Sequence, residues 1–490
     1  MLLYVCQGQY LPQLTGKEEN EMKKLLSLLL VFCLIVPLAA CGSSADNGSS
    51  DGSSPKSTSS SASVSSDTKT ESSDDGDTLG TFNQSAALAE TVMFDEDGVK
   101  ITATRLNYTS YSVDLELTIE NNSDRDLSFV TGSIGYSCNS VNGYMVSDGY
   151  LNCDVATGKK ANDSISFSYD ALMLYGINEI ADMEIGFDIS DDDGNDTYTG
   201  PCQVTTSAFD AHDYSKDCYQ ETIASRAVMN TYNYEITHFS QDTLYDVNGV
   251  KLLSSGIMQN SSGETALLLE LENTTSDIVY VSISDIALNG LIVSSSTWSS
   301  NAINPGKRGI LDVELSSVLD SEYWSIYGIE EVGSVTLSLR QRDTDGNDIA
   351  DKTAVEIVVP NAKPEFDATG TEVYNKDGLR IAEKAVLEDS SDYSSDIHVL
   401  LLAENNSGKT LKISDVYNSL SVNGFMTSYY YYSQELADGE CAALEITLLT
   451  SSLKSNQITS SSDIEEIEFS LEIKEGRTTI DTPVIAFSLS

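Results

Sequence analysis

The sequence predicts an all-β protein: three tandem β-sandwich domains. Three observations carry this: an internal repeat, two-residue apolar periodicity in matching segments, and Asn-Gly or Asp-Gly steps between apolar runs. The repeat has four markers in fixed order. The first is Asp97-Gly98-Val99-Lys100-Ile101, Asn248-Gly249-Val250-Lys251-Leu252 and Asp377-Gly378-Leu379-Arg380-Ile381. The second is Glu120-Asn121-Asn122-Ser123, Glu272-Asn273-Thr274-Thr275 and Glu404-Asn405-Asn406-Ser407. The third is Val141-Asn142-Gly143-Tyr144-Met145, Leu288-Asn289-Gly290-Leu291-Ile292 and Val422-Asn423-Gly424-Phe425-Met426. The fourth is a turn at Gly158, Gly306 and Gly439. Self-similarity in one order and at similar spacings marks a repeated structural unit.

Counting back in twos from Asn121 gives Ile119, Leu117, Leu115 and Val113. From Asn273 the phase reads Leu271, Leu269, Leu267 and Thr265, and from Asn405 it reads Ala403, Leu401, Val399 and Ile397. Side chains alternate across a strand, so each segment is a strand with that face buried. In the first copy the other phase is Asp114, Glu116 and Thr118, suited to water. In the third it is His398, Leu400 and Leu402, which predicts cover on both faces. Asn-Gly pairs accept positive φ and predict tight hairpins. Closing strands are expected at Ile185-Phe187-Ile189, Val335-Leu337-Leu339 and Ile467-Phe469-Leu471-Ile473, read by their alternation. Helical periodicity is confined to single turns near 171–175 and 315–323 and a short helix in 217–229. The domains are expected at 88–207, 236–360 and 366–490, with an extra segment, 208–235, between the first two.

Glu-Asn-Asn-Ser, then Val-Asn-Gly-Tyr-Met, then a Gly-Lys turn and Ile-containing closing strands resemble the immunoglobulin-like (telokin-like) repeat domains of uncharacterised Gram-positive surface lipoproteins. The resemblance covers all three copies and implies a fold and an envelope location. It implies no catalytic or binding residue.

The N-terminus carries a processing signal. Met22-Lys23-Lys24 is a basic start, 25–38 an apolar run, and Leu38-Ala39-Ala40-Cys41 resembles a bacterial lipobox. An apolar run of about 14 residues is too short to span a bilayer and fits a signal peptide, 22–40. Cys41 is then the lipidated residue and the protein's link to the outer face of the cell membrane. Residues 1–21 read as an upstream extension, with Met22 the expected start: 17–21 can encode a ribosome-binding site. From Cys41 to residue 87 the chain is a Ser/Gly/Asp linker, expected to be disordered. A coil of about 40 such residues reaches roughly 35 Å, more with acidic self-repulsion.

Composition excludes some classes. With 27 Lys and Arg against 76 Asp and Glu, the formal net charge is −49. Such a chain repels phosphate backbones, so nucleic acid is no partner, and repels anionic headgroups, leaving the membrane reached by lipid alone. Its 3 histidines lie apart, without a serine- or cysteine-nucleophile motif. Gly-x-Ser-x-Gly, P-loop and His-Glu-x-x-His motifs are absent.

Four sets of candidate residues remain. Asp191, Asp193 and Asp196, with Asp343, Asp345 and Asp348, cluster at equivalent turns beside a glycine, as calcium requires. Neither turn matches an EF-hand loop, and the third copy has Lys474-Glu475-Gly476-Arg477 there, so the competing reading is a solvated turn. Cys138 with Cys153, and Cys202 with Cys218, are candidate disulfides in an oxidising compartment, the second pair clipping the extra segment; Cys441 is left over. Tyr429-Tyr430-Tyr431-Tyr432 would point two rings inward and two outward, the outward pair a stacking surface. Trp298 and Trp324 are expected in the core or at a domain junction. The expected function is a non-enzymatic binding or assembly module with an envelope protein or glycan as partner. The alternatives are a carbohydrate-binding or adhesion protein, and an envelope enzyme of glycoside hydrolase type using paired acids.

Overall fold

In the computed structural model the described residues are 79–131, 139–294, 299–388 and 396–488. They are all-β, and each repeat copy is built on facing antiparallel sheets. In the first copy the strands Thr91–Glu96, Val99–Tyr108, Ser112–Asn121 and Lys159–Ser168 form one sheet. The facing sheet centres on Asp182–Asp191, flanked by Leu127–Thr131 and Asp196–Thr205. The predicted alternation is the observed one: Val113, Leu115, Leu117 and Ile119 are buried, and their neighbours are partly exposed. The closing strands form as expected, Asp182–Asp191, Ser334–Arg342 and Glu466–Glu475.

The Asx-Gly steps form the expected hairpins. Asp97, Asn142, Asn248, Asn289, Asp377 and Asn423 have φ between 48° and 52°, each followed by a positive-φ glycine. Two central residues at positive φ define the type I′ turn, whose twist matches that of paired strands. At Gly98 any side chain would also collide, since a Cβ would lie 2.9 Å from the Ser123 amide.

Three of the four markers meet at one end of each copy. The amide of Asn122 donates to Gly98 O, and that of Gly158 to Asn121 O. The second copy repeats this with Thr274 to Gly249 and Gly306 to Asn273, the third with Asn406 to Gly378 and Gly439 to Asn405. The buried side chain of Asn121 donates to Arg125 O and Val155 O and accepts from the Ser123 amide and hydroxyl. Asn273 bridges Asp277 O and Ile303 O in the same way, and Asn405 bridges Lys409 O and Leu436 O.

The third marker is a second clamp. Asn142 donates to Glu179 O and accepts from the Ala181 and Asp182 amides, fixing the hairpin to the start of the closing strand. Asn289 accepts likewise from Gly333 and Ser334, and Asn423 from Glu465 and Glu466.

The sheets do not end with the copies. The short strand Tyr144–Val146 of the first copy pairs in parallel with Arg308–Glu314 of the second, joining their sheets into one of eleven strands. Leu291–Ser294 of the second pairs in parallel with Cys441–Leu448 of the third, making a ten-stranded sheet. The cores interleave accordingly. Met145 is buried in the core of the second copy, while Ala266 and Leu268 face that of the first. Leu400 and Leu402 face the second copy's core and Leu401 its own, so this strand is covered on both sides as its sequence predicts.

One boundary and one helix count differ from expectation. The linker is expected to run to residue 87, yet 79–87 belongs to the first copy. Phe82 is buried and stacks on Tyr169 at 4.5 Å, and the Asn83 amide donates to Asn178 O. One aromatic ring and two backbone anchors, the second from the Ser207 amide to Ala87 O, hold a stretch whose composition reads as coil. In the extra segment one helix is expected and two form, Cys218–Thr222 and Arg226–Tyr232, each capped by a side chain, Asp217 or Ser225.

The other helices are short. Tyr169–Leu174, Leu315–Val318 and Thr450–Ser455 follow equivalent strands in the three copies, and the last is a turn that periodicity did not mark. Among the described residues no helix is long and apolar enough to cross a membrane. Cys41, the signal peptide, most of the linker, Cys138 and Trp298 lie outside the described residues.

Candidate functional site

Chemistry-bearing side chains gather at four places, of which the acidic turns are the first. Asp191 accepts from the amides of Asp193 and Asn195, both at 3.0 Å, and from the Arg125 guanidinium. These donors, the Asn195 side chain first, hold its carboxyl down at about 2. Asp343 accepts from the Asp345 and Asn347 amides, and Asp348 is gripped by two guanidinium nitrogens of Arg340. These carboxylates organise the hairpins that carry them. Among the described residues no three His, Cys, Asp or Glu side chains converge as a metal site.

The thiols are the second place. Cys153, Cys202, Cys218 and Cys441 are free, so the expected Cys202–Cys218 bridge is not formed in this structure. The physical reason is placement. Cys202 is buried on the strand Asp196–Thr205, and Cys218 opens a helix packed over Gly176. Instead of a covalent clip, Tyr219, Ile223 and Val228 bury themselves in the first copy's core and hold the extra segment there. Cys153 carries no bridge either; its expected partner Cys138 lies outside the described residues. Burial raises Cys153 and Cys441 to about 11, so neither is a poised nucleophile.

Two clusters of polar groups between copies form the third place. Between the first and second, Arg308 pairs with Asp217 at 2.6 Å and donates to the Tyr144 hydroxyl at 3.2 Å, its guanidinium over the Tyr144 ring. Behind it Glu270 is fully buried, accepting from Gln220 and Ser254, and burial, followed by Asp217, raises it to about 7. Lys307 adds a bridge of 2.8 Å to Glu184. Between the second and third copies a cavity of about 220 Å³ is lined by Tyr323, Tyr327, Leu400 and the pair His398–Glu445, whose Nδ1 and Oε1 are 2.6 Å apart. A His–Glu pair can move a proton. The cavity is smaller than the roughly 300–1,000 Å³ of common small-molecule sites.

The fourth place is the stretch 417–432 of the third copy. The tyrosine run alternates as expected. Tyr429 turns in to donate to Asp415 at 2.7 Å and Tyr431 packs on the core, while Tyr430 and Tyr432 point outward. Tyr417, Phe425 and Met426 join them, and all five are more than half exposed. Sequence reading found the tyrosines and missed Phe425 and Met426. Their counterparts Tyr144 and Met145 are buried between copies, and the signal was there: the apolar residues after Asn-Gly recur in the third copy. Trp324 lies against the second core and donates to Leu319 O, as expected of a core residue.

No family model matches the chain, and no curated protein does. Solved structures similar in part include a protein of unknown function from Porphyromonas gingivalis, 11% identical over 46% of this chain and 91% of that one, TM-score 0.14. The YadV chaperone is 9% identical over 46% and 92%, TM-score 0.15. A 1.5-MDa bacterial ice-binding adhesin is 11% identical over 76% and 90%, TM-score 0.13. Likenesses at this level carry no argument about function.

Proposed function

We propose that this chain is a lipid-anchored extracellular protein whose β-sandwich copies act as a non-catalytic binding or assembly module. The observation that carries the reading is the exposed apolar set Tyr417, Phe425, Met426, Tyr430 and Tyr432 in one stretch of the last copy. Large apolar side chains exposed this often in one stretch of an otherwise strongly acidic chain are a usual mark of a contact site. Cys41 and the acidic linker supply the anchor and the reach, and the third copy presents the contact surface. A second reading, glycan binding, is favoured by the outward rings of Tyr430 and Tyr432, which offer flat faces to a sugar.

The test has two arms. Mass spectrometry of the chain from its native membrane should find diacylglyceryl on Cys41; an unmodified thiol there removes the anchor. Purified chain should bind native cell envelopes, and Tyr417→Ala/Tyr430→Ala/Tyr432→Ala should lower that binding about tenfold. Equal binding by the variant rules out the proposed surface. A glycan array separates protein from sugar partners, and turnover in a glycosidase screen would replace the reading by the enzymatic one.

A further inference from the structure

The two internal junctions share one register. Tyr144 pairs with Arg308, and Leu291 with Cys441. In the repeat, Tyr144, Leu291 and Phe425 are one position, the residue after Asn-Gly. Arg308, Cys441 and Lys160 are another, the second after the turn glycine, each paired to the marker glutamate Glu272, Glu404 or Glu120. Each junction therefore joins the donor strand of one copy to the acceptor strand of the next. Among the described residues one donor and one acceptor have no such neighbour. Phe425–Met426 is the outer strand of the seven-stranded sheet, and Lys159–Ser168 the outer strand of the four-stranded one.

The leftover halves fit each other as the first junction fits. At the first junction Tyr144 lies beneath the Arg308 cation, Met145 enters the neighbouring core, and Glu184 pairs with Lys307. At the leftover positions stand Phe425 to meet Lys160, Met426 in place of Met145, and Glu468 to meet Lys159, all exposed. Glu468 is the match of Glu184, because Glu184 pairs with Ser140 and Glu468 with Ser421, each two residues before the turn asparagine. The second junction keeps only the apolar insertion, Ile292 packing on the third core, and has Thr336 and Glu440 in place of the ion pair and Cys441 in place of the cation.

We infer that the third copy of one molecule docks on the first copy of another. The strand Phe425–Met426 adds in parallel to Lys159–Ser168, with Phe425 opposite Lys160, giving a head-to-tail chain of molecules. This deepens the assembly reading above and rests on it for its biological setting, but the contact itself needs no membrane. The contact is heterologous, so each molecule keeps one donor and one acceptor free for the next and association goes beyond the pair. Asp163 stands where the acceptors of the second and third copies have the buried Leu311 and Leu444, so this junction is weaker than the internal ones.

The test uses the full chain in detergent, with Phe425→benzoylphenylalanine and an equal mixture of light and isotopically heavy protein. Irradiation should give light–heavy adducts mapping to 158–163. Lys159→Glu should lower their yield about fivefold, and Glu468→Lys added to Lys159→Glu should restore it, an outcome that misfolding cannot imitate. No light–heavy adduct at millimolar protein, adducts mapping elsewhere, or no rescue by the charge swap would overturn the inference. If another envelope protein captures the probe while light–heavy adducts stay absent, self-docking fails and the broader binding reading survives.

Discussion

Single residues set the frame of each copy, and the marker asparagines are the clearest case. Asn273 is fully buried, donates to two backbone carbonyls and accepts from the amide and hydroxyl of Thr275. An alanine there removes all four hydrogen bonds, leaving the Thr275 hydroxyl its bond to Asp277 O, and a buried polar group left unpaired costs about 1–3 kcal/mol. Part of that cost is relieved by water at the exposed side of the turn. Asn273→Ala should therefore lower the free energy of unfolding by roughly 2–4 kcal/mol in a urea titration. A loss of only a few tenths, the size of an ordinary surface substitution, would show that the asparagine clamps nothing. The position was legible in part. Asn121, Asn273 and Asn405 stood out as repeated polar residues continuing an apolar phase, but which carbonyls they bridge lies 4 and some 30 residues away in sequence.

At the scale of elements, the strands were readable and their partners were not. The two-residue period of Val113–Ile119 is a local signal, and so is the left-handed Asn-Gly turn. The junction strand Tyr144–Val146 is three residues long and meets Arg308, which no local pattern announces. The cysteines mislead for the same reason: a short spacing between Cys202 and Cys218 does not say that one sits on a strand and the other opens a helix. The junction also has a pH response. Glu270 sits on the strand Thr265–Asn273, fully buried behind Arg308, and its carboxyl is raised from 4.5 to about 7. Between those values the folded chain keeps the proton that the unfolded chain has lost, so this group makes stability fall as pH rises. Glu270→Gln removes the titration while keeping a hydrogen-bonding side chain of the same shape. The variant should gain stability over the parent as pH climbs from 5 to 8, by an amount on the order of 2–3 kcal/mol. Urea midpoints for the two chains that run parallel across that range would mean that Glu270 keeps its ordinary acidity.

At the scale of the molecule, one joining rule is used twice among the described residues. Donor strands Tyr144–Val146 and Leu291–Ser294 are each taken up by the next copy, and Phe425–Met426, at the same place in the repeat, pairs among the described residues with Ser421–Val422 alone. The formal charge of −49 opposes association over long range, and salt near 0.15 M shortens that repulsion to about 8 Å, leaving the Lys159–Glu468 and Lys160–Phe425 contacts to act at close quarters. Sedimentation of the full chain in density-matched detergent, across a wide range of protein concentration, reads this directly. Open-ended docking requires a weight-average mass that keeps climbing past the dimer, and Phe425→Asp/Met426→Asp should return it to one chain. A parent that stays monomeric at every concentration, or one that levels off as a closed dimer, would contradict head-to-tail joining.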